Sequence, residues 1–271
     1  MQMPLFSLAR GFKALAISCV LGLSLQAHAS SLLVDDFAAP SPPATGNPTG
    51  TGAQVFERTF GTFAGATSQV RESNYNLYRD PDGSGAQVSV GSGTAAVNAG
   101  AGALGELVLA YGAFTRPTGD PLVGGPLMDL DLRGFDDLQA EFSGVGAGLN
   151  VVAVLYTSAP LLQPDGSPLY YLTTALNAAP ASPDGAMTVD LLLDARNVFA
   201  SNSPFFNFAQ VDGIVFLVDR SGSALGNHYQ LDSLQFTQAV PEPASLWLLL
   251  AGLGLGGLGA LQRRPWVRMR G

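Results

Sequence analysis

The segment Tyr229-Gln230-Leu231-Asp232-Ser233-Leu234-Gln235-Phe236 alternates apolar and polar side chains with little interruption. A shorter segment, Met128-Asp129-Leu130-Asp131-Leu132, has the same alternation. A period of two predicts β-strands that place one face on a hydrophobic core and the other face in water. The pattern is typical of an antiparallel protein built from two sheets.

Short segments of this kind recur along the body of the chain, whereas helical periodicity is missing. Clusters of Gly, Pro, Asp and Ser, which favour turns, separate them. The predicted strands are Leu32–Phe37, Gln54–Phe60, Ala86–Val90, Thr94–Asn98, Glu106–Tyr111, Met128–Leu132, Leu138–Phe142, Leu149–Tyr156, Tyr170–Thr174, Met187–Leu193, Gly213–Val218 and Tyr229–Phe236. They predict an all-β fold, a single antiparallel β-sandwich over residues 30–238 with its first and last strands close together.

The tripeptide Pro-Asp-Gly occurs three times, at residues 81–83, 164–166 and 183–185. Pro fixes φ, Asp accepts local hydrogen bonds and Gly adopts positive φ, so each copy predicts a tight turn. We expect all three copies to connect strands.

Residues 1–29 have the pattern of a secretory signal peptide: a basic start, an apolar segment and the small-x-small motif Ala27-His28-Ala29. We expect export through the Sec translocon and a mature chain that begins at Ser30. The only cysteine, Cys19, lies in the apolar segment. The mature chain therefore has no disulfide, and its stability has to come from its core.

The tail, residues 239–271, has three parts in order. Val240-Pro241-Glu242-Pro243-Ala244-Ser245 comes first, an apolar segment follows, and Arg263 and Arg264 open a basic end at residues 263–270. The apolar segment predicts a short transmembrane helix at about 244–261, since about 17–25 residues span a bilayer. Basic residues beside a span stay in the cytoplasm, which places the body on the far side.

This order resembles the PEP-CTERM sorting signal. The resemblance rests on Val240, Pro241, Glu242, Pro243 and Ser245, the Gly-rich helix, and Arg263 with Arg264. It implies a Gram-negative-type bacterium, an inner-membrane-anchored intermediate, cleavage by exosortase, and delivery to the cell surface or an exopolysaccharide matrix. The alternative is an ordinary C-terminal anchor, in which the two prolines only separate the last strand from the helix.

Charge narrows the choice of partners. Residues 30–238 contain 7 basic and 20 acidic residues, a net charge of −13. Nucleic acid is disfavoured as a partner because phosphate binding needs a basic surface. Cations or neutral sugars suit such a surface, although an excess of acids also serves simply to keep an exported protein dispersed.

Five segments of the body give a second resemblance: Val34-Asp35-Asp36-Phe37, residues 132–142, residues 186–191, and residues 208–216 followed by the closing segment 229–236. Their order is similar to galactose-binding-like jelly rolls found in carbohydrate-binding modules. The resemblance implies the fold. A sugar platform built on Trp is in doubt, because the only Trp residues, Trp247 and Trp266, lie in the tail.

Catalytic residue types are scarce. His228 is the only histidine after the leader, no lysine follows Lys13, and the chain has no Gly-x-Ser-x-Gly motif. Acid pairs for glycoside hydrolysis are present, but acids that alternate on a strand usually face water. We therefore expect a non-enzymatic surface or matrix protein, associated with exopolysaccharide or biofilm. The alternatives are a carbohydrate-binding module with a defined glycan site and, third, a glycoside-active enzyme.

Two kinds of candidate site follow. Calcium is expected to bind weakly between clustered acids, at Asp35 or Asp36 with Asp232, or at Asp80 and Asp82 in the turn 80–85. The alternative is that these acids face water. For a glycan, the candidate aromatic residues are Tyr170, Tyr171, Phe205 and Phe206, with core packing as the alternative.

Overall fold

The computed structural model describes residues 30–115, 121–174, 177–193, 203–219 and 225–238. They belong to one compact unit, Ser30–Gln238. The predicted signal peptide and the predicted sorting tail with its transmembrane helix lie outside the described residues. Among the residues that are described, none forms a helix with the length and hydropathy of a membrane span.

The strands are β1 (Ser31–Asp35), β2 (Ala44–Gly46), β3 (Gln54–Phe63), β4 (Ala66–Arg79), β5 (Ala86–Gly91), β6 (Thr94–Ala99), β7 (Leu104–Thr115), β8 (Pro121–Gly124), β9 (Asp137–Val145), β10 (Leu149–Leu162), β11 (Pro168–Thr173), β12 (Asn177–Ala179), β13 (Ser182–Leu192), β14 (Gly213–Val218) and β15 (His228–Thr237). A turn of 3-10 helix, Ser203–Phe205, precedes β14.

The strands form two antiparallel sheets, which pack into a sandwich. The seven-stranded sheet has the order β13-β9-β15-β6-β5-β2, and β1 also pairs with β15. The eight-stranded sheet has the order β11-β10-β14-β7-β4-β3, with β12 beside β10 and β8 beside β7. The predicted all-β sandwich is confirmed.

The closing strand follows its sequence pattern. Tyr229, Leu231, Leu234 and Phe236 of β15 are at most 2 % exposed, although a bulge before Ser233 shifts the register once. They join a core to which both sheets contribute. Full burial of a large apolar side chain contributes about 1.5–3 kcal/mol, so this core accounts for the stability of a domain without disulfides.

The first and last strands meet as predicted. β1 pairs with the C-terminal half of β15, and the Ser30 hydroxyl donates to the side-chain carbonyl of Gln238 at 2.8 Å. The Gln238 N–H donates to the Ser30 carbonyl at 3.0 Å. The first and last strands of the unit are thus paired with each other, and the unit has its own core. This is the organisation of a domain that folds alone.

Eleven of the twelve predicted strands are present, and one prediction is wrong. Residues 128–132 form only an isolated bridge, Leu130 with Val211, because Asp129 has a φ of +51° and breaks the extended backbone. Four strands escaped prediction: β2, β4, β8 and β12. β4 is 14 residues long and lies inside the eight-stranded sheet.

Two of the three Pro-Asp-Gly copies form the predicted turns. Residues 81–83 lie between β4 and β5, residues 164–166 lie between β10 and β11, and both glycines have positive φ. The third prediction is wrong, because residues 183–185 lie inside β13. There they make an irregularity, since Ser182 pairs with Val145 whereas Ala186 already pairs with Ser143.

Candidate functional site

A cleft of about 660 Å³ crosses the outer face of the seven-stranded sheet. We call it the polar cleft. β2, β5, β6 and β15 supply most of its wall, and Gly144 of β9 and Pro183 of β13 close one side. Its described lining is Thr45, Asn47, Gln87, Val88, Ser89, Ala96, Val97, Asn98, Gly144, Pro183, His228, Tyr229 and Gln230.

The sheet register places the polar side chains of the cleft in two rows. In the first row, Thr45, Ser89, Ala96 and Gln230 are successive partners across β2, β5, β6 and β15. Neighbouring strands lie about 4.7–4.9 Å apart, so this row spans roughly 14 Å.

The second row is shorter and more polar. Gln87 pairs with Asn98, and Asn98 pairs with His228, across β5, β6 and β15. All three side chains are exposed. The two rows lie two residues apart along each strand and therefore share one sheet face.

The side chains of this cleft form no hydrogen bonds with one another. Across the described residues, Gln87, Asn98 and Gln230 have no side-chain bond to another protein group. Their donors and acceptors are therefore open to water or to a ligand. Exposed amides in such a block are the groups that recognise sugar hydroxyls, because each amide both donates and accepts.

The other half of the same sheet face is paired. Gln235 donates to Gln139 at 2.9 Å, Gln139 donates to Asp190 at 2.9 Å, and Ser233 donates to Glu141 at 2.9 Å. We call this region the paired half. Its polar groups are already satisfied within the protein.

The polar cleft also differs from the rest of the body in charge. The described lining contains no Asp, Glu, Lys or Arg, although the body carries a net charge of −13. A ligand therefore meets dipoles and one imidazole there rather than fixed charge. This arrangement suits a neutral polar molecule.

The loop after β9 contacts His228. A Cβ on Gly146 would lie 2.1 Å from the nearest atom of the imidazole ring, so a larger residue there would require the ring to move. The Gly146 N–H donates to the His228 carbonyl at 2.9 Å, and the Ala147 N–H donates to the Asn227 side chain at 3.0 Å. The loop after β9 thereby holds His228 at the rim of the cleft.

The four aromatic residues predicted for a glycan site do not line the polar cleft. Phe206 is 2 % exposed and belongs to the core, so its predicted glycan role is replaced by a packing role. Phe205 and Tyr170 are half-buried. Tyr171 is 56 % exposed and lies 6.4 Å from the Tyr156 ring, but on the eight-stranded sheet.

Asp35, predicted as a calcium ligand, is an ion-pair partner instead. Its Oδ2 accepts from Arg71 Nη1 at 2.7 Å and from the Tyr111 hydroxyl at 2.9 Å, and its Oδ1 accepts from the Phe37 N–H at 2.7 Å. Arg71 is 1 % exposed and stands over the rings of Phe37 and Phe63. The cation beside Asp35 is thus a guanidinium.

The environment of Asp35 acts on its pKa in two directions. Burial raises the pKa, whereas Arg71 and the hydrogen bonds oppose that rise. Burial likewise raises the pKa of Tyr111 well above its ordinary value. Asp35 of β1 belongs to one sheet, and Arg71 and Tyr111 belong to the other. The three residues therefore tie the two sheets together inside the core.

The Asp80 carboxylate stabilises the turn that contains it. It is 5 % exposed, and its carboxylate accepts from the Gly50 N–H at 2.6 Å, the Gly85 N–H at 3.1 Å and the Ser84 hydroxyl at 3.3 Å. These donors, led by Gly50, hold its pKa below the usual 3.8.

Of the other three predicted calcium ligands, two accept local hydrogen bonds and the third lies at a bulge. Asp82 accepts from the Ser84 N–H at 3.2 Å, Asp36 accepts from the Ala38 N–H at 3.0 Å, and Asp232 is half-buried at the bulge of β15. In the part of the chain that the structure describes, no three acids or histidines come together as a metal site would require. Calcium binding remains a prediction for measurement.

Sequence reasoning missed the polar cleft, although the signal was present. Gln87, Ser89, Asn98 and Gln230 occupy the polar positions of strands that were predicted correctly. On β5 and β6 the polar positions are amides and hydroxyls rather than acids. An uncharged polar face in an acidic protein would have marked the site.

The tail matches a known family. Residues 239–264 match the PEP-CTERM protein-sorting motif, which confirms the predicted sorting signal. The motif marks an exported protein that exosortase processes through a membrane-anchored intermediate. No curated protein matches the chain.

Solved structures similar to the body are carbohydrate-binding modules. A family 11 module of a cellulosomal cellulase of Clostridium thermocellum has a TM-score of 0.35 and 10% identity, over 79% of this chain and 97% of that chain. A family 29 module of Piromyces equi has a TM-score of 0.30 and 7% identity, over 79% and 93%. These scores are too low to align binding residues, so a ligand has to be inferred from the surface of this chain.

Proposed function

We propose that this exported protein binds a neutral polysaccharide in the polar cleft and acts at the cell surface or in an extracellular matrix. The observation that carries the proposal is the block of exposed amides and hydroxyls without protein partners. Sugars present hydroxyls that both donate and accept, and amides and hydroxyls match them in kind.

The ligand class follows from charge and shape. The described lining has no charged residue, and the body repels polyanions because its net charge is −13. An open cleft with a first row of roughly 14 Å suits an internal stretch of several sugar units better than a single sugar. A neutral exopolysaccharide is therefore the proposed ligand.

Binding without turnover is part of the proposal. Hydrolysis of a glycosidic bond needs two carboxyl groups on either side of it. The described lining of the cleft offers none. We therefore assign the protein a non-enzymatic role.

Delivery completes the proposal. We propose that signal peptidase cleaves after Ala29 so that the mature chain begins at Ser30. Exosortase then removes the residues beyond Pro241-Glu242-Pro243, and the body is released from the membrane. Intact mass of the protein recovered from wild-type cells tests this. A mature form that still ends at Gly271 would make the tail a permanent anchor.

Affinity electrophoresis of residues 30–238 in gels with neutral polysaccharides tests binding. We expect retardation by at least one neutral glucan, galactan or mannan, and none by a polyanion such as alginate. Asn98→Ala combined with Gln230→Ala should lower the affinity about tenfold, since a hydrogen bond contributes about 0.5–1.5 kcal/mol.

The matched control is Gln235→Ala, which removes the same amide from the paired half of the same sheet face. It should leave retardation unchanged. The alternative function is a structural matrix protein without a defined glycan site. In that case retardation is absent for all neutral polymers or does not saturate, and the variants in the cleft behave like the control.

A further inference from the structure

The two strand orders end in four strands, β13, β2, β11 and β3, and the first three are protected against pairing with another chain. β2 has only three residues, β11 starts at Pro168, and β13 carries the Pro-Asp-Gly irregularity at residues 183–185. Short strands, prolines and bulges are the usual devices that prevent edge-to-edge association.

The fourth edge, β3, has none of these devices along most of its length. It has ten residues, contains neither Pro nor Lys, and stays in register with β4 from Gln54 to Gly61. Among the described backbone hydrogen bonds, those of residues 54–61 go only to β4. The other side of the strand therefore presents unpaired N–H and C=O groups.

The outer face of β3 also carries two exposed aromatic side chains. Phe56 is 58 % exposed and Phe60 is 70 % exposed, and the two lie on the same face because they are four residues apart. Arg58 lies between them and forms an ion pair with Glu72 of the neighbouring strand. Exposed aromatic residues on a long open edge indicate a surface that another strand covers.

We propose that β3 pairs antiparallel with β3 of a second copy of this chain, across a two-fold axis at Arg58. In this register residue 58 + n lies opposite residue 58 − n. Phe56 of each copy is then opposite Phe60 of the other, so both exposed rings gain an aromatic partner. Cross-strand aromatic pairs of this kind stabilise a sheet.

In this register the side chains of the two copies complement each other, and the like charges that meet already have partners of opposite charge. The two Arg58 side chains face each other, but each already has Glu72 beside it. Other registers that keep both strands on one face form fewer Phe–Phe pairs: a centre at residue 56 or residue 60 pairs one phenylalanine with itself and leaves the other without an aromatic partner. A second copy is therefore the occupant that fits this edge.

Charge sets how the dimer depends on salt. Each body carries a net charge of −13, so the two copies repel at low ionic strength. At physiological ionic strength, salt screens that repulsion beyond a Debye length of about 8 Å. We expect a concentration-dependent dimer whose affinity rises with salt. The polar cleft lies on the other sheet, and this interface leaves it open.

Cross-linking tests the register directly, because residues 30–238 contain no cysteine. Arg58→Cys places two thiols opposite each other, and paired residues on neighbouring strands have Cα atoms about 4.5–5.5 Å apart, within the range of a disulfide. We expect this variant to form a covalent dimer on oxidation. Thr62→Cys, on the same face, is the control and should stay monomeric, since Thr62 lies opposite Gln54 of the second copy.

Sedimentation of residues 30–238 at rising protein and salt concentrations tests the dimer itself. Phe56→Ser with Phe60→Ser should abolish it, whereas Leu162→Ser, which removes an exposed apolar side chain elsewhere, should not. A wild-type chain that stays monomeric at all concentrations overturns the proposal. So does equal cross-linking of Arg58→Cys and Thr62→Cys. If the chain is monomeric and the serine variants lose polysaccharide retardation instead, the edge binds a glycan.

Discussion

Two polar regions of this sandwich differ in where their hydrogen bonds go. Asp35, Arg71 and Tyr111 are at most 4 % exposed, and Asp35 accepts hydrogen bonds from the other two across the two sheets. The amides of the polar cleft, such as Asn98 and Gln230, are exposed and bond to no protein group among the described residues. The first arrangement belongs to the fold, and the second is the one that we propose for a ligand. A substitution should therefore change stability in one region and binding in the other.

The largest effect is expected at the buried ion pair. Arg71→Ala leaves the Asp35 carboxylate buried without its cation, and breaking such a pair typically costs about 3–5 kcal/mol. Urea unfolding of residues 30–238 measures the loss. Polysaccharide binding should persist under conditions in which the variant stays folded.

The control for this variant is Arg133→Ala. Arg133 pairs with Asp131 on the surface, where the two side chains are 69% and 52% exposed. Water screens that pair, so we expect no measurable change in stability. A loss at Arg133 as large as that at Arg71 would contradict the assignment of the stabilising role to the interior.

A smaller effect is expected from a charge in the polar cleft. Asn98→Asp keeps the side-chain shape but replaces a donor with an anion, in a lining that has no charge. We expect about tenfold weaker polysaccharide binding, equivalent to about 1.4 kcal/mol, with an unchanged melting temperature. Affinity electrophoresis and thermal unfolding give the two measurements.

The same kind of replacement in the paired half should lower stability and leave binding unchanged. Gln235→Glu removes the donor that bonds Gln139, so stability should fall by about 0.5–1.5 kcal/mol while binding stays the same. If both variants weaken binding equally, the ligand covers the whole sheet face and the cleft has no special role.

A still smaller effect concerns Asp80 and pH. The Gly50 N–H and its neighbours hold the pKa of Asp80 below 3.8, so its stabilising contribution is present above that pH and is lost as the pH falls through the folded-state pKa. Asp80→Asn should lower the melting temperature at pH 7. The difference from wild type should shrink as the pH falls through the folded-state pKa, because the wild-type carboxyl is then protonated too. A difference that stays constant with pH would show that ionisation of Asp80 does not matter.

The fold was predictable because most strands alternate visibly. β15 buries the apolar positions that its alternation indicates, and the turns at 81–83 and 164–166 follow from Pro-Asp-Gly alone. β4 escaped because its inward positions include Arg71 and Ser73, so polar residues occupy places that the pattern reserves for apolar ones. Local periodicity cannot show that a buried arginine forms an ion pair with an aspartate on the other sheet.

The candidate site was less predictable for a related reason. Asp35 looked like a metal ligand because its partner, Arg71, lies on the strand that was missed. Aromatic residues were favoured for a glycan, whereas Phe206 is required by the core. The cleft residues become a site only when the register aligns β5, β6 and β15, and register depends on contacts between distant parts of the chain.

The smallest effect is expected from calcium. Binding with a dissociation constant of about 10⁻⁴–10⁻³ M would add about 1.4 kcal/mol at a tenfold excess of calcium. Asp35 and Asp80 already direct their oxygens at protein donors, so we expect the melting temperature of residues 30–238 in several millimolar calcium to differ little from that in chelator. Magnesium serves as the control for ionic strength. A rise of several degrees that magnesium does not reproduce would restore the cation site predicted from the sequence, and the acids left for it are Asp36, Asp82 and Asp232.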